Sequence, residues 1–234
     1  MTVSNQPSTD LPVERRGEFR VYRVVESVPH LNLQRVDEPR LYTVYRSGYD
    51  EATQEAVDDL RTGDRVSATL VGDPDADEEP WRVERVDRDD GVATAFAVDV
   101  DPPGTAVDAW AAADAESAGD PEPSCRTILD DGEPVGACCV QPRDPLPNGA
   151  FVPTVLAGLL PLESQFAAVP GVGDPAAEAL FLDPDPPDAT TYESPYGVVL
   201  LFTAAGAATA DRFREAYDLP RDTDTRPDFD PYGV

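Results

Sequence analysis

The sequence predicts an α+β fold in two domains: an N-terminal small antiparallel β-barrel-like domain with one helix, and a C-terminal α+β domain. Three observations lead to this fold class. The first hundred residues hold several short β-rich segments and a single helical pattern. A stretch rich in proline, glycine and alanine follows at residues 102–123, and such composition is typical of a linker. The rest of the chain alternates between strand-like and helix-like apolar segments.

The N-terminal domain is predicted at residues 17–101, after a polar segment, residues 1–16, that we expect to be disordered. Its strands are rich in β-branched and aromatic residues, which favour a pleated, half-buried surface. Ser47-Gly48-Tyr49-Asp50, where Ser and Asp stand three residues apart, indicates a helix start, and the helix is expected to run from about residue 50 to about residue 61. The predicted strands are residues 19–25, 30–34, 41–45, 65–71, 81–86 and 92–98.

The order of these elements resembles that of an OB-fold over residues 18–88: three strands, a helix and two strands. The resemblance rests on element order and not on a residue motif. Residues 92–98 form an extra strand beyond it. Together with the small size of the domain, this order predicts a closed or half-closed barrel.

The C-terminal domain is predicted at residues 124–220, followed by a polar, proline-punctuated tail at residues 221–234. Asp130-Asp131-Gly132-Glu133 lies between two strand-like segments and predicts a hairpin turn. The other expected elements are a buried segment at 151–160, a short helix opening at Asp174-Pro175, an extended acidic loop at 183–188, a core strand at 197–202 and a helix at 207–217.

The net charge is −28, from 46 Asp and Glu against 18 basic residues that are all arginine. At ordinary ionic strength such a surface repels itself, but at molar salt the Debye length falls to about 3 Å and the repulsion fades. The composition therefore predicts a protein adapted to molar salt. Together with the closing segment Arg226-Pro227-Asp228-Phe229-Asp230-Pro231-Tyr232-Gly233, it resembles the uncharacterised protein families restricted to halophilic archaea. That resemblance implies a habitat and no activity.

The protein is expected to lie in the cytoplasm, away from any membrane. Its first residues lack the basic segment and apolar run of a signal peptide. The longest apolar stretch, residues 197–208, is too short to cross a bilayer. The three cysteines, Cys125, Cys138 and Cys139, are few and odd in number, which favours reduced thiols over a disulfide framework.

Several kinds of catalytic and cofactor site are excluded or disfavoured. Without lysine there is no P-loop and no Schiff-base chemistry, and a single histidine, His30, rules out an H-E-x-x-H motif. Cys138 and Cys139 are adjacent, so on a strand they point to opposite faces and do not share a zinc ion. Residues 171–176 fit the G-x-G-x-x-A pattern, but no long apolar strand precedes them. We predict neither a metal nor a cofactor.

Arginine is concentrated in the first hundred residues, which hold 12 of the 18. Aromatic residues accompany it in three places, and arginine beside aromatic rings on a barrel face is what single-stranded nucleic acid stacks upon. The sequence therefore predicts a non-enzymatic binding module for RNA or single-stranded DNA. The candidate site residues are Arg20, Tyr22, Tyr42, Arg46, Trp81 and Arg82.

Three other interpretations remain open. The N-terminal arginines can instead pair with neighbouring acids on a solvated sheet. The protein can be an adaptor that binds another protein, which an exposed apolar patch would indicate. It can also be a small carboxylate-dependent hydrolase, which a deep cleft with converging carboxylates would indicate. The oligomeric state does not follow from the sequence.

Overall fold

The computed structural model describes residues 12–74, 79–117 and 120–230. Two five-stranded sheets with few helices make up this part of the chain, as expected for an α+β protein. Most of the predicted strands form within a few residues of their expected limits.

The first sheet is antiparallel, with the order β3-β2-β1-β4-β5. Burial alternates along β4, so one face of the sheet packs on a core of aliphatic and aromatic side chains while the other meets solvent. Helix α1 starts close to the expected position, at an N-cap formed by Asp50, whose carboxylate accepts a hydrogen bond from the Thr53 N–H. The elements are β1 (Val13–Tyr22), β2 (His30–Arg35), β3 (Leu41–Tyr45), α1 (Glu51–Asp58), β4 (Asp64–Gly72) and β5 (Arg82–Gly91).

The predicted barrel is not closed. The edge strands β3 and β5 do not pair along their length. A single parallel bridge joins Val44 to Trp81, the residue before β5. There the Tyr45 N–H donates to the Trp81 carbonyl at 2.9 Å, and the Trp81 N–H donates to the Thr43 carbonyl at 2.8 Å. The two edges of the sheet therefore meet at one point only.

The second sheet has the order β6-β9-β10-β8-β7, with β6 and β9 parallel and the other pairs antiparallel. Separate hydrophobic clusters cover its two faces, and every residue of β9 and β10 is buried. Its elements are β6 (Ala93–Val98), α2 (Gly104–Ser117), β7 (Ser124–Asp130), β8 (Glu133–Pro142), α3 (Phe151–Leu156), α4 (Glu163–Ala167), β9 (Glu178–Asp183), β10 (Tyr196–Phe202) and α5 (Ala207–Ala216).

The strands are not divided at the predicted domain limits. Strand β6 was assigned to the N-terminal domain but pairs with β9 in the second sheet. The predicted linker contains α2, whose buried alanines face β7 and β8. Strand β1 begins at Val13, within the segment expected to be disordered, because Val13 to Arg20 pair with β4; residues 1–11 lie outside the described part.

Some local predictions are confirmed and others are wrong. The hairpin forms between β7 and β8, with Asp131 and Gly132 at φ of 49° and 87°. The segment 151–160 is largely buried, and β10 and α5 lie where expected. No helix opens at Asp174, since the chain runs from there into β9. Cys125 and Cys139 lie opposite each other in the hairpin and form a disulfide, so the expectation of reduced thiols is wrong for this pair.

The segment predicted as a C-terminal tail packs against the rest of the protein as far as residue 230. Phe229 is buried in the core beside the second sheet. The Arg226 Nη1 donates to the Val24 carbonyl at 2.9 Å, just after β1, and the Phe96 N–H donates to the Thr225 Oγ1 at 2.9 Å. We call residues 220–230 the C-terminal strap. Within the described ranges, no helix is long and apolar enough to span a membrane.

Candidate functional site

Two of the six predicted site residues are buried between the two sheets. Arg20 donates from Nε and Nη2 to the Glu163 carboxylate at 3.0 and 2.7 Å, and from Nη1 to the Gly63 carbonyl at 2.8 Å. The Tyr22 side chain is almost completely buried beside Gly158, and burial raises the pKa of its hydroxyl. Neither side chain reaches solvent, so the structure removes both from a surface that a ligand can contact.

Tyr42 is also buried, in the core of the first sheet. Its ring meets the Trp81 ring edge to face, at a centroid distance of 5.2 Å. Arg46 lies elsewhere, where its guanidinium bonds the Glu26 carboxylate. Of the six predicted residues, Trp81 and Arg82 are therefore the two that lie beside other aromatic rings without being fully buried: Trp81 is half-buried against the core of the first sheet, and Arg82 is exposed.

Arginine guanidiniums lie over aromatic rings around Trp81 and Arg82 in two short rows, which we call the first and the second ladder. In the first, the Arg40 guanidinium lies 5.2 Å from the Tyr42 ring and the Arg15 guanidinium 5.9 Å from the Trp81 ring. In the second, the Arg82 guanidinium lies 5.5 Å from the Tyr45 ring and 4.9 Å from the Tyr49 ring.

His30 extends the second ladder, since its ring lies 5.6 Å from that of Tyr45. A groove of about 380 Å³ runs beside the ladders and is lined by His30, Arg40, Thr43 and Trp81 among others. Two of the half-buried ladder residues, Tyr49 and Trp81, also pack against the core of the first sheet. We call the half-buried and exposed members of the two ladders the arginine–aromatic surface: Arg15, His30, Arg40, Tyr45, Tyr49, Trp81 and Arg82.

The hydrogen bonds of Tyr49 keep the second ladder in place. Its hydroxyl donates to the Tyr45 carbonyl at 2.6 Å and accepts from the Val83 N–H at 3.3 Å. Burial raises the pKa of this hydroxyl above its usual range, so it stays protonated as the donor. The ring that Arg82 covers is therefore anchored to β3 and β5 at the same time.

The arginines of this surface differ from the others in the first hundred residues. Eight of those 12 arginines form ion pairs. Among the described residues, Arg15, Arg40, Arg61 and Arg82 have no such partner, and three of these four lie over aromatic rings. The interpretation that arginines pair with neighbouring acids thus holds for most of them and fails on the arginine–aromatic surface.

A larger cleft, of about 650 Å³, lies where the two sheets and the C-terminal strap meet. Its lining holds six arginines and five aspartates, a ratio far from that of the whole chain. Arg88 pairs with Asp64 at 2.8 Å, and burial nevertheless raises the pKa of Asp64. The arginines that line this cleft are Arg23, Arg61, Arg88, Arg214, Arg221 and Arg226.

The acidic run at 183–188 is not an exposed loop at its start, which corrects the sequence-based expectation. Asp183 and Asp185 are buried, and both accept hydrogen bonds from the Arg143 Nη2. The remaining Arg143 donors bond the Ser194 and Gly149 carbonyls at 2.7 and 2.9 Å. Burial raises the pKa of Asp183 against the opposing effect of Arg143. Because every guanidinium nitrogen of Arg143 donates a hydrogen bond within the protein, this cluster is structural.

The described residues offer no chemistry for a metal site. No group of three or more His, Cys, Asp or Glu among them is arranged to hold a metal ion. Cys138 is a free thiol, and burial raises its pKa to about 12, so it stays protonated and unreactive at neutral pH. Residues 171–176 form a turn without the helix that a pyrophosphate site needs.

Sequence reasoning missed Arg15, His30, Arg40, Tyr45 and Tyr49 as members of this surface. For Tyr45 a signal was present, because alternate residues of a strand point to opposite faces. If Tyr42 and Val44 face the core, Leu41, Thr43 and Tyr45 face away from it. No comparable signal marks Arg15 or Arg40, which reach their rings only through the pairing of strands distant in sequence.

The chain belongs to a family of unknown function, DUF6663, whose pattern it matches over residues 12–222. This match covers both sheets and part of the C-terminal strap. No curated protein matches the sequence.

Proposed function

We propose that this protein is a non-enzymatic binding module for single-stranded nucleic acid, RNA or DNA, and that the arginine–aromatic surface is its binding site. The observation that supports this proposal is that three N-terminal arginines contact aromatic rings instead of carboxylates. In a chain with 46 acids, Arg15, Arg40 and Arg82 lie over rings and not against carboxylates. Arg15 and Arg82 each donate one hydrogen bond to a backbone carbonyl, that of Glu14 and that of Gly48. Their other donors can reach phosphate oxygens while the guanidinium plane offers a stacking surface.

High salt strengthens the argument for stacking. Phosphate contacts lose affinity steeply as salt rises, because fewer counterions are released on binding. Stacking of bases on rings does not depend on counterion release and is worth about 1–3 kcal/mol per base. A nucleic-acid-binding protein at molar salt is therefore expected to bind bases mainly by stacking them on rings such as Tyr45 and Trp81. The planar guanidiniums of arginines add further stacking surfaces.

The arrangement of the first sheet supports an OB-like fold for the part of the chain that forms β1 to β5. Its elements run β1-β2-β3-α1-β4-β5, and the bridge between Val44 and Trp81 brings the free edges of β3 and β5 together. In OB-folds the ligand binds on the second and third strands and on the loops beside them. His30 and Tyr45 lie on these strands, and Trp81 follows the loop between β4 and β5.

We infer that the protein works in the cytoplasm of a salt-accumulating halophilic archaeon, and its net charge supports this inference. A net charge of −28 without lysine gives a surface of short, strongly hydrated carboxylates. Their mutual repulsion is screened only when the Debye length is a few ångströms. The midpoint of thermal unfolding should rise as KCl increases from tenths of molar to molar, and equal midpoints would contradict this part of the proposal.

The binding test uses fluorescent single-stranded RNA and DNA in molar KCl, with affinity measured by anisotropy. Tyr45→Ala should weaken binding about 5- to 150-fold, the equivalent of one lost stacked base. Tyr45→Phe should retain most of the affinity, because the ring remains. Arg82→Ala should also weaken binding, since its guanidinium lies between two rings.

Arg85→Ala is the matched control, since Arg85 lies on the same strand as Arg82 but is paired with Asp87 at 2.8 Å. It should bind like the wild type. Tyr42→Ala is unsuitable as a probe, because removing its buried ring would destabilise the fold itself. A folded wild-type protein that binds neither oligonucleotide in molar KCl would refute the proposal.

A further inference from the structure

The loop between β1 and β2 carries one carboxylate surrounded by three guanidiniums. Glu26 accepts a hydrogen bond from the Arg46 Nη2, and its Oε2 lies 3.7 Å from the Arg226 Nη2 and 3.9 Å from the Arg23 Nη2. Among the residues that the structure describes, no other carboxylate has more than two arginines within 4.0 Å. Arg226 also pairs with Asp224, so the cluster holds three arginines and two carboxylates in a chain where acids outnumber arginines 46 to 18.

The three arginines are held in place without help from the Glu26 carboxylate. Arg23 donates to the Leu60 carbonyl at 2.8 Å, Arg226 to the Val24 carbonyl at 2.9 Å, and Arg46 to the backbone carbonyl of Glu26 at 3.0 Å. Their side chains are 13%, 10% and 20% exposed, whereas that of Glu26 is 73% exposed. The three arginines are therefore anchored, and Arg226 is held by the Asp224 carboxylate as well. The Glu26 carboxylate is accessible to solvent.

The cluster also holds a donor that the protein does not use. The Arg23 Nε is buried and has no hydrogen-bond partner. Burial and the neighbouring guanidiniums of Arg46 and Arg226 lower the pKa of Arg23, because like charges gather around it. A guanidinium N–H that has no acceptor and lies beside two further guanidiniums favours the binding of an anion with more than one charge.

Space for a ligand adjoins the cluster. Arg23 and Arg226 line the cleft of about 650 Å³ at the junction of the sheets, and Arg61 and Thr62 line the same cleft. Arg61 has no ion-pair partner among the described residues and is exposed. The volume is within the range of pockets that hold small organic ligands.

We propose that Arg23, Arg46 and Arg226 form a binding site for a phosphate group, and that Glu26 occupies this site in the free protein as an internal substitute for that group. A phosphate has more charge and more acceptor oxygens than one carboxylate, so it satisfies three guanidiniums better than Glu26 does. The phosphate can belong to a small phosphorylated molecule or to the end of a nucleic-acid strand. The site is separate from the arginine–aromatic surface and does not require the proposed nucleic-acid function.

The test titrates potassium pyrophosphate into the full-length protein in molar KCl and measures heat. The wild type should bind, and Glu26→Gln should bind about two- to fivefold more tightly, because the exposed ion pairs that compete with the ligand are lost. Arg46→Gln should bind about tenfold more weakly, because it removes a charge-assisted donor. The ¹⁵N resonance of the Arg23 Nε should shift on titration in the wild type.

Asp87→Asn is the matched control, since it also removes an exposed carboxylate from an arginine. It should leave the pyrophosphate affinity unchanged. Equal affinities of Glu26→Gln and Asp87→Asn, or no binding by the wild type and by Glu26→Gln, would overturn the proposal. Circular dichroism of each variant separates a lost site from a lost fold.

Oligonucleotides with and without a 5′-phosphate then identify the source of the group. Tighter binding of the phosphorylated strand, enhanced further by Glu26→Gln, assigns the site to a strand end. Equal binding of both strands, with pyrophosphate still bound, assigns it to a small phosphorylated molecule. Because pyrophosphate has no base to stack, its binding is measured independently of whether the arginine–aromatic surface binds nucleic acid.

Discussion

The two five-stranded sheets bury their side chains in different ways. In the first sheet, β4 alternates between buried and half-buried residues, so one face packs on a core and the other meets solvent. In the second sheet, β9 and β10 are buried at every residue, because hydrophobic clusters cover both faces. A strand covered on both faces leaves no side chain for a ligand. The central strands of the second sheet therefore offer no ligand site, and exposed side chains in that sheet are found at its edge, on β7.

The arginines differ in the same way between the first region, residues up to 100, and the second region, the residues after 100. Of the six arginines after residue 100, Arg126 is the one without an ion pair within the described ranges, and Arg143 is fully enclosed by its partners. In the first region, three arginines lie over rings without an acidic partner. Arginine thus holds elements together in the second region, and in the first it also remains free to bind.

The largest effect is expected from Asp183→Ala in the second region. Asp183 is fully buried, and its removal leaves the Arg143 guanidinium without one of its two carboxylates. Breaking a buried ion pair in this way typically lowers the free energy of unfolding by about 3–5 kcal/mol. Urea denaturation in molar KCl measures the loss. Asp188→Ala, in the exposed part of the same loop, should change little, and equal losses in both variants would show that the buried cluster has no special role.

An intermediate effect is expected from Glu163→Gln, which breaks the pair between the two regions. Arg20 would lose its charged partner and keep the Gly63 carbonyl, which costs about 1–3 kcal/mol for hydrogen bonds to a charged group. Glu55→Gln, an exposed change on α1, is the control.

The two tryptophans show whether this pair couples the regions, since Trp81 lies beside the first sheet and Trp110 on α2. Fluorescence of Trp110→Phe and Trp81→Phe variants reports each region separately. Coincident unfolding curves indicate one cooperative unit, and Glu163→Gln should shift both. Two separate curves would mean that each sheet unfolds on its own.

The smallest effect is expected from Asp224→Asn on the C-terminal strap. Arg226 hydrogen-bonds Asp224 and holds the pKa of that carboxyl below its usual range. Since the pKa is lower in the folded than in the unfolded state, the stabilisation is complete above the unfolded value of about 3.9 and disappears as pH falls through the folded value.

At neutral pH the Asp224→Asn variant should lose less than about 1 kcal/mol, because the carboxylate is largely exposed and its pair is screened by water and salt. Thermal unfolding of both proteins from pH 7 to pH 2 measures the difference. The two curves should converge at the acid end, and a difference that grows with acidity would contradict the assigned direction of the pKa.

Local patterns in the sequence predicted most elements because short-range physics decides them. Tyr42 and Val44 alternate with Thr43 and Tyr45, which indicates a strand, and Asp131-Gly132 is a good two-residue hairpin turn. Burial was predicted less well. Tyr22 and Trp81 are both aromatic, yet Tyr22 is almost completely buried and Trp81 is half-exposed. The difference arises from contacts with residues far away in sequence, such as Gly158 beside Tyr22.

The sequence by itself determined the α+β class, the approximate limits of most strands, and the net charge of −28 that any ligand must tolerate. These follow from composition and from periods of two and 3.6 residues, which are local properties. Only the tertiary structure decided that β6 joins the second sheet, that Asp183 and Asp185 enclose Arg143, and that three arginines surround Glu26. Strand partners and ion pairs depend on which segments meet in space. In a chain with 46 acids, every arginine has many candidate partners along the sequence and only a few within reach after folding.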